Sequence, residues 1–319
     1  MYMKNVAIIY GGPSSEHDIS IQSGKNILKN IDKKKYNVFD IFISKDKKFF
    51  IKNDKKGIDE KSFINLLKKE NINIVYPVLH GSYGEDGQIQ KLLEKSKINF
   101  VGSSSKASAL AIDKNKSNKV YLKNKILIPK SKIIFKNNFK HNLNYPIIVK
   151  PIDEGSSVGL FKIQDEKECL NKKGEIFKNH NKMLAQEFIS GREFTCGVLE
   201  EKFKNNIKSF PLPATEIILT KSKIFDYKTK YTKGAVKEIT PANIDESLME
   251  KIQDMALKSH KALGCKSISR TDIILNKSDN KLYVLETNTL PGMTKASLIP
   301  QQASSINMDI KKLIDILLS

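Results

Sequence analysis

Asp272, Glu286 and Asn288 are three oxygen-bearing side chains that a single hairpin would bring together. The second strand of that hairpin runs from Leu282 to Asn288 and breaks into a turn at Pro291 and Gly292. Strand alternation predicts that Leu282, Val284 and Glu286 share one face, with Tyr283 and Leu285 on the other. A carboxylate and an amide oxygen two residues apart, Glu286 and Asn288, suit a hard cation such as Mg²⁺. The first strand, Ser267 to Leu275, places Arg270 and Asp272 on one face, and the turn-like residues 276–280 join the two strands. Arg270 carries a further signal. Of 55 Lys and Arg residues only two, Arg192 and Arg270, are arginine. A chain that otherwise uses lysine keeps arginine where a planar, bidentate fork matters.

Other stretches offer groups for binding anions. Gly11-Gly12-Pro13 turns a strand into a helix that Ser14 or Ser15 is expected to cap, with Glu16 in its first turn. A third strand ends in His80-Gly-Ser-Tyr-Gly-Glu-Asp-Gly87, where parallel α/β folds place ligands. The strand ending at Lys150 and the one starting at Leu160 flank the loop Glu154-Gly-Ser156-Ser157-Val-Gly159. Such a loop can close over phosphates with backbone N–H groups and hydroxyls. Neither GxGxxG nor GxxxxGK[ST] is present, so no dinucleotide fingerprint and no P-loop applies.

These residues need elements to hold them. Strands at 4–10, 37–43 and 73–79 alternate with helices to about Asn30 and near 59–70, which predicts βαβ units and a parallel sheet. A helix is expected at about 87–96. The run 102–106 reads as a hinge, followed by a short apolar helix from Ala107 to Ile112. Residues 183–189 have the character of a buried strand, and the polar stretch from Thr220 to Lys237 that of a lid. A helix from about Glu246 to Leu263 ends at Gly264, and a terminal helix spans about 305–318.

Bulk composition narrows the class. With 319 residues, 39% hydrophobic and 28% charged, the chain has enough material for two or three domains. The formal charge of +20 comes from lysines scattered through every segment, with no arginine-rich arm, aromatic-interleaved stripe or zinc-finger spacing. No nucleic-acid partner is expected, although anionic substrates are favoured. Cys169, Cys196 and Cys265 are too few and too far apart for a disulfide framework, and read as reduced thiols of a cytoplasmic protein. The five histidines form no zinc pattern. No signal peptide and no membrane span are expected.

In this order, the motifs resemble those of the D-alanine–D-alanine ligases, a branch of the ATP-grasp superfamily. The resemblance runs through Gly-Gly-Pro-Ser-Ser-Glu16-His, Leu-His80-Gly-x-x-Gly-Glu-Asp-Gly87, Asp113-Lys114, Val-Lys150-Pro and Glu154-Gly-Ser156-Ser-Val-Gly159. It continues through Glu193-Phe-Thr, Asp226-Tyr-x-x-Lys230-Tyr231, Gly264-Cys, Arg270-x-Asp272 and Glu286-x-Asn288-x-x-Pro-Gly292-Met-Thr. One departure stands at Gln186-Glu187-Phe188-Ile189, where the familiar branch has Glu, then Lys, an aromatic and Leu. It bears on the side-chain contact to adenine and leaves main-chain contacts available.

The resemblance implies an α/β fold, α+β in its ATP-grasp core, with three domains. They would be an N-terminal, Rossmann-like substrate domain (1–102), a central subdomain with the phosphate loop (103–186), and a C-terminal subdomain with the metal site and lid (187–319). It implies an ADP-forming ligation of two D-alanines through an acyl phosphate, supplying peptidoglycan precursors for the cell wall. ATP and two Mg²⁺, with Mn²⁺ as a possible substitute, are the implied cofactors, and a homodimer is expected. By similarity, Asp272, Glu286 and Asn288 hold the metals, and Arg270 and the Gly292 N–H stabilise an oxyanion. Lys114, Lys150, Ser157, Gln186, Glu187, Ile189, Glu193 and Lys230 would bind ATP. Glu16, linked to Ser156 and Tyr231, would hold the first D-alanine's ammonium near His80, with Ser297 and Leu298 by the second one's carboxylate. Residues 220–239 become the lid. The rival readings are a ligase taking D-lactate or D-serine second, and a basic nucleic-acid-binding protein on a similar scaffold.

Overall fold

The structure is a computed structural model and describes residues 3–52, 54, 56–155, 159–203, 206–220 and 234–319. Three sheets form in chain order. The first comprises β1 (Lys4–Gly11), β2 (Tyr36–Ile43), β3 (Phe49–Ile51) and β4 (Ile74–Val78), in the order β3-β2-β1-β4. β1 pairs in parallel with β2 and β4, as the alternation with α1 (His17–Asn30), α2 (Glu60–Lys69) and α3 (Gln88–Lys95) predicts. β3 adds an antiparallel edge that was not expected. The sheet is buried on both faces: Val6, Ile8 and Tyr10 face one cluster, Ala7 and Ile9 the other.

α1 begins one residue later than a Ser15 cap, and two later than a Ser14 cap, would place it. Glu16 is the N-cap and makes no side-chain cap bond, and Ser14 is used elsewhere. Its hydroxyl donates to His80 O at 2.6 Å and accepts the Glu16 N–H at 3.1 Å, tying the Gly turn to the end of β4. The turn itself needs glycine: Gly11 has φ +99°, and a Cβ there would lie 2.2 Å from Ile43 O.

The second sheet comprises β5 (Ser131–Phe135), β6 (Ile147–Lys150), β7 (Phe161–Ile163) and β8 (Lys182–Glu187), in the order β5-β8-β6-β7, all antiparallel. α4 (Ser105–Ile112) and α5 (Lys114–Lys123) lead into it, capped by the side chains of Ser104 and Asp113. α6 (Glu166–Asn171) and α7 (Lys173–Ile176) join β7 to β8, and Cys169, Ile176 and Phe177 pack on the sheet.

The third sheet is built on β9 (Gly191–Phe203), a strand that the sequence reading missed. β10 (Asn206–Pro211) pairs with β9, and the main order is β12-β11-β9-β13-β14, with β11 (Thr215–Leu219) and β12 (Val236–Ile239) on one side of β9. α8 (Glu246–Leu263) packs on this sheet and ends in the left-handed Gly264, as expected. β13 (Ile268–Asn276) and β14 (Leu282–Asn288) form the expected antiparallel hairpin. The terminal helix expected at about 305–318 starts later, as α10 (Ile310–Leu318), and an unexpected short helix, α9 (Leu298–Ser304), precedes it. They are separated by Asn307 at φ +59°, with Asp309 capping the second. α10 returns to the first sheet, where Leu313, Ile314 and Leu317 pack with Val6 and Ile8. Among the described residues no helix is long and apolar enough to cross a membrane, and all three cysteines are free and buried.

Candidate active site

The hairpin places Asp272 opposite Glu286 and Arg270 opposite Asn288. One expectation fails here. The register shifts between Asp272 and Ile273, so that Ile273 pairs with Val284 and Leu285 is the extra residue of a bulge. Strict alternation is broken. Leu282 and Val284 point into the core cluster under the sheet, whereas Leu285 and Glu286 both line the cavity. The bulge therefore turns Glu286 away from the core face that period-2 alternation had assigned to it.

Arg270 uses its fork on Asp272: Nε and Nη2 lie 3.1 Å from the two carboxylate oxygens. Burial opposes its charge, but Asp272 and then Glu286 more than compensate and hold the guanidinium firmly protonated. Thr195 on β9, the last residue of the Glu193-Phe-Thr motif and given no role from sequence, donates to Asp272 Oδ1 at 2.6 Å. The other arginine behaves likewise. Arg192 holds Glu216 with Nε and Nη2 at 2.6 and 2.9 Å.

Lys114, at the first position of α5, is buried and reaches Glu286 Oε2 at 3.2 Å and Glu154 O at 2.6 Å. Burial alone would raise the Glu286 carboxyl, but Lys114 and Lys150 outweigh it and hold it at about 2. Burial lowers the Lys150 ammonium to about 8, with Lys114 adding to the effect. Glu193 goes the other way: burial, then the Asp272 and Glu286 carboxylates, push it up to about 8. Glu85 in the loop after His80 is also pushed up to about 8, first by burial and then by Glu16. Closely packed charges of both signs, with several protonation equilibria displaced, mark a site built for an ionic ligand.

Loops from the first sheet close the far side. His80 Nδ1 donates to Leu290 O at 3.0 Å, and its Nε2 lies 3.1 Å from Ser23 Oγ, which accepts the Met293 N–H at 3.2 Å. These bonds anchor the Pro291–Gly292 turn to the N-terminal sheet. A Cβ on Gly155 would lie 3.8 Å from Glu16 Oε2, so the Gly/Ser loop approaches Glu16. A Cβ on Gly292 would meet Ser297 Oγ at 2.8 Å, which keeps that turn tight against the start of α9.

All these elements face one cavity of about 1090 Å³. Its lining includes Glu16, His80, Lys114, Lys150, Gln186, Glu187, Ile189, Glu193, Arg270, Asp272, Glu286, Asn288, Gly292, Ser297 and Leu298. Ser156, Ser157, Lys230 and Tyr231, together with most of the expected lid, lie outside the described residues. The cavity also takes in Thr195, Glu85, Phe188 and Lys162, whose ammonium sits 3.4 Å from the Phe188 ring centroid. Glu85, Thr195 and Phe188 each lay inside a quoted motif without being given a role, and Lys162 had no local signal.

The donor set at Asp272, Glu286 and Asn288 is all oxygen, as a hard divalent cation requires. Among the described residues no three His, Cys, Asp or Glu gather into a metal cluster. The Asn288 Nδ2 is buried without a partner, which leaves that amide free to turn its oxygen to a cation. The residues present fit magnesium.

An antiparallel sheet carrying Asp272 and Glu286, facing a second sheet with a strand that ends in Lys150, has the arrangement of an ATP-dependent ligase of the ATP-grasp class. Profiles described as "D-ala D-ala ligase N-terminus" and "D-ala D-ala ligase C-terminus" match residues 5–103 and 119–319. The chain belongs to the D-alanine–D-alanine ligase family. It is 38% identical to the D-alanine–D-alanine ligase of Clostridium beijerinckii over 98% of this chain and 97% of that one. It is 35% identical to that of Leptospira interrogans over 97% and 96%. Among solved structures, the Bacillus anthracis D-alanine–D-alanine ligase complexed with ATP superposes with a TM-score of 0.80 at 30% identity, covering 99% and 96%. VanG D-Ala:D-Ser ligase of Enterococcus faecalis gives 0.83 at 30%, covering 99% of both chains.

Proposed function

We propose that the chain joins two D-alanines into D-alanyl-D-alanine in the cytoplasm, with ATP giving ADP and phosphate, and so supplies peptidoglycan precursor. The observation that supports this most directly is the convergence of Arg270, Asp272, Glu286, Asn288, Lys114 and Lys150 on one cavity.

Glu16 takes the ammonium of the first D-alanine beside His80, which leaves its carboxylate free to attack the γ-phosphorus. Lys114 and Lys150 hold the polyphosphate, with Ser157 and Lys230 completing the grip. Glu187 and Ile189 offer main-chain groups to the adenine, and Glu193 the ribose end. Asp272, Glu286 and Asn288 would hold two magnesium ions, with manganese as a possible substitute. When bound, magnesium neutralises charge developing on the transferred phosphoryl group. The amine of the second D-alanine, its carboxylate steered by Ser297 and Leu298, then attacks the acyl phosphate carbonyl. The Arg270 guanidinium and the Gly292 N–H receive the resulting oxyanion, and phosphate leaves. The Gly292 N–H makes no backbone hydrogen bond among the described residues, so that donor is available. Ser156 and Tyr231 tie Glu16 to a lid that keeps water from the acyl phosphate. The three expected domains (1–102, 103–186 and 187–319) would supply the three walls, and the protein would act as a homodimer.

D-serine is the second reading for the acceptor, because the VanG structure matches as closely as the D-alanine enzymes do. Phosphate release and product analysis decide between them, with ATP, magnesium and D-alanine, L-alanine, or D-alanine mixed with D-serine or D-lactate. D-alanine alone is expected to give rapid phosphate release and D-alanyl-D-alanine. Equal turnover with L-alanine, or none with D-alanine, would overturn the proposal.

A further inference from the structure

Between Pro291 and Thr294 the chain has three N–H groups, because proline has none. The Met293 N–H goes to Ser23 Oγ at 3.2 Å, and the Thr294 N–H to Ser297 Oγ at 3.0 Å. The Gly292 N–H makes no main-chain hydrogen bond among the described residues, and Gly292 lines the cavity. Helix α1 does more at this turn than accept one N–H. Asn26, one turn beyond Ser23, donates from Nδ2 to Met293 O at 2.8 Å. Asn30, a further turn along, donates to Asn26 Oδ1 at 3.1 Å, which fixes the end of the amide that faces Met293. Both main-chain polar groups of Met293 are therefore bound to one helix.

On the other side of the donor, His80 Nδ1 holds Leu290 O at 3.0 Å, and the Ser23 hydroxyl lies 3.1 Å from His80 Nε2. The Pro291–Gly292 peptide, which carries the free N–H, is bracketed by held peptides. Its proline side is stiff by virtue of the ring, whereas glycine leaves its own side loose. Ser23 and Asn26 act on that loose side. The Met293 side chain is already buried in one core cluster with Ile27 of α1, so packing alone fastens the turn to the helix. What the polar bonds add is orientation of the peptide planes. We propose that Ser23 and Asn26 are positioning residues for the ligation step, which hold the peptides after Gly292 so that its N–H stays aimed at the oxyanion. The inference rests on the reading of Gly292 as an oxyanion donor. Its effect is confined to the second step, because the carbonyl oxygen gains charge only when the amine attacks.

The test is a single-turnover quench with ATP, magnesium and D-alanine, in which ADP and D-alanyl-D-alanine are timed separately. The native chain is compared with Ser23→Ala, with Asn26→Leu, and with a chain in which an ester oxygen replaces the Gly292 N–H, introduced as an α-hydroxy acid. Asn26 is half-buried and outside the cavity wall, so Asn26→Leu carries the test if Ser23→Ala does not fold. In both side-chain variants ADP is expected at close to the native rate, with dipeptide formation slowed about 10-fold to 10²-fold. The ester chain is expected to show the same split. Equal slowing of ADP and dipeptide in Asn26→Leu would overturn the inference and leave these bonds as fasteners between domains. Native dipeptide rates in the side-chain variants, beside a slowed ester chain, would also overturn it while the donor reading stands. A native rate in the ester chain would instead remove Gly292 as donor, and this inference with it.

Discussion

The chain's two arginines make a paired experiment, since each grips one carboxylate through two nitrogens. Arg270 holds Asp272 at 3.1 Å twice, with only 15% of its side chain exposed. Arg192 holds Glu216 at 2.6 and 2.9 Å, but 45% of its side chain is exposed. A lysine at either place keeps the charge and gives up the fork. At Arg270 the change removes one of two buried charge-assisted bonds, worth about 1.5–3 kcal/mol. On the proposed mechanism it also misplaces a donor to the oxyanion, a loss of about 10²–10³ in rate. Turnover in Arg270→Lys is therefore expected to fall by about 10²–10³ while the protein still melts cooperatively. At Arg192 the pair is half in water and contributes about 1 kcal/mol or less, so Arg192→Lys lowers the melting temperature slightly and leaves turnover close to native. The assays are phosphate release at saturating ATP and D-alanine, and thermal unfolding of both variants. Near-native turnover in Arg270→Lys would reduce that fork to a structural ion pair. An equal loss in both variants would show that the effect is architectural.

Two further outcomes follow from the charges around the cavity. Asp272→Asn and Glu286→Gln are each expected to cut turnover by orders of magnitude at ordinary magnesium while leaving the fold intact, because on the proposed mechanism each removes a charge that would hold the metal. Circular dichroism checks the fold, and raising magnesium or manganese should recover part of the rate. Glu193, pushed up to about 8, keeps a proton in the folded protein that the unfolded chain has released. Its contribution to stability is thus fully present below the ordinary carboxylate value of about 4.3 and is lost as pH rises through about 8. Denaturant unfolding without metal or nucleotide should show stability falling across that window, and Glu193→Gln should flatten the fall. An unchanged pH profile in that variant would mean that another carboxyl, Glu85 first, carries the effect.

Much of this protein was legible without its structure wherever the information is periodic or local. The parallel β1-β2-β4 sheet follows from buried runs alternating with capped helices, and the β13–β14 hairpin from two strand patterns joined by polar turn residues. The rarity of arginine pointed to Arg270 and its fork. What pattern alone could not supply is any choice among distant neighbours. Whether Ser14 caps a helix or holds His80 depends on β4 lying beside the Gly turn. Thr195 reaches Asp272 only because β9, 77 positions earlier in the chain, inserts next to β13. β9 itself escaped detection because both its faces are covered, so it shows no clean alternation. The facing of Glu286 was decided by a bulge, a single extra residue that inverts every later side chain and has no local signature in Leu285. The burial of Gln186 is likewise a property of the strands on either side of it. Sequence specifies which segments become strands and helices because backbone preference and side-chain period are short-range. Which charges meet in the cavity is settled only when three sheets pack, since that depends on contacts between residues far apart in the chain.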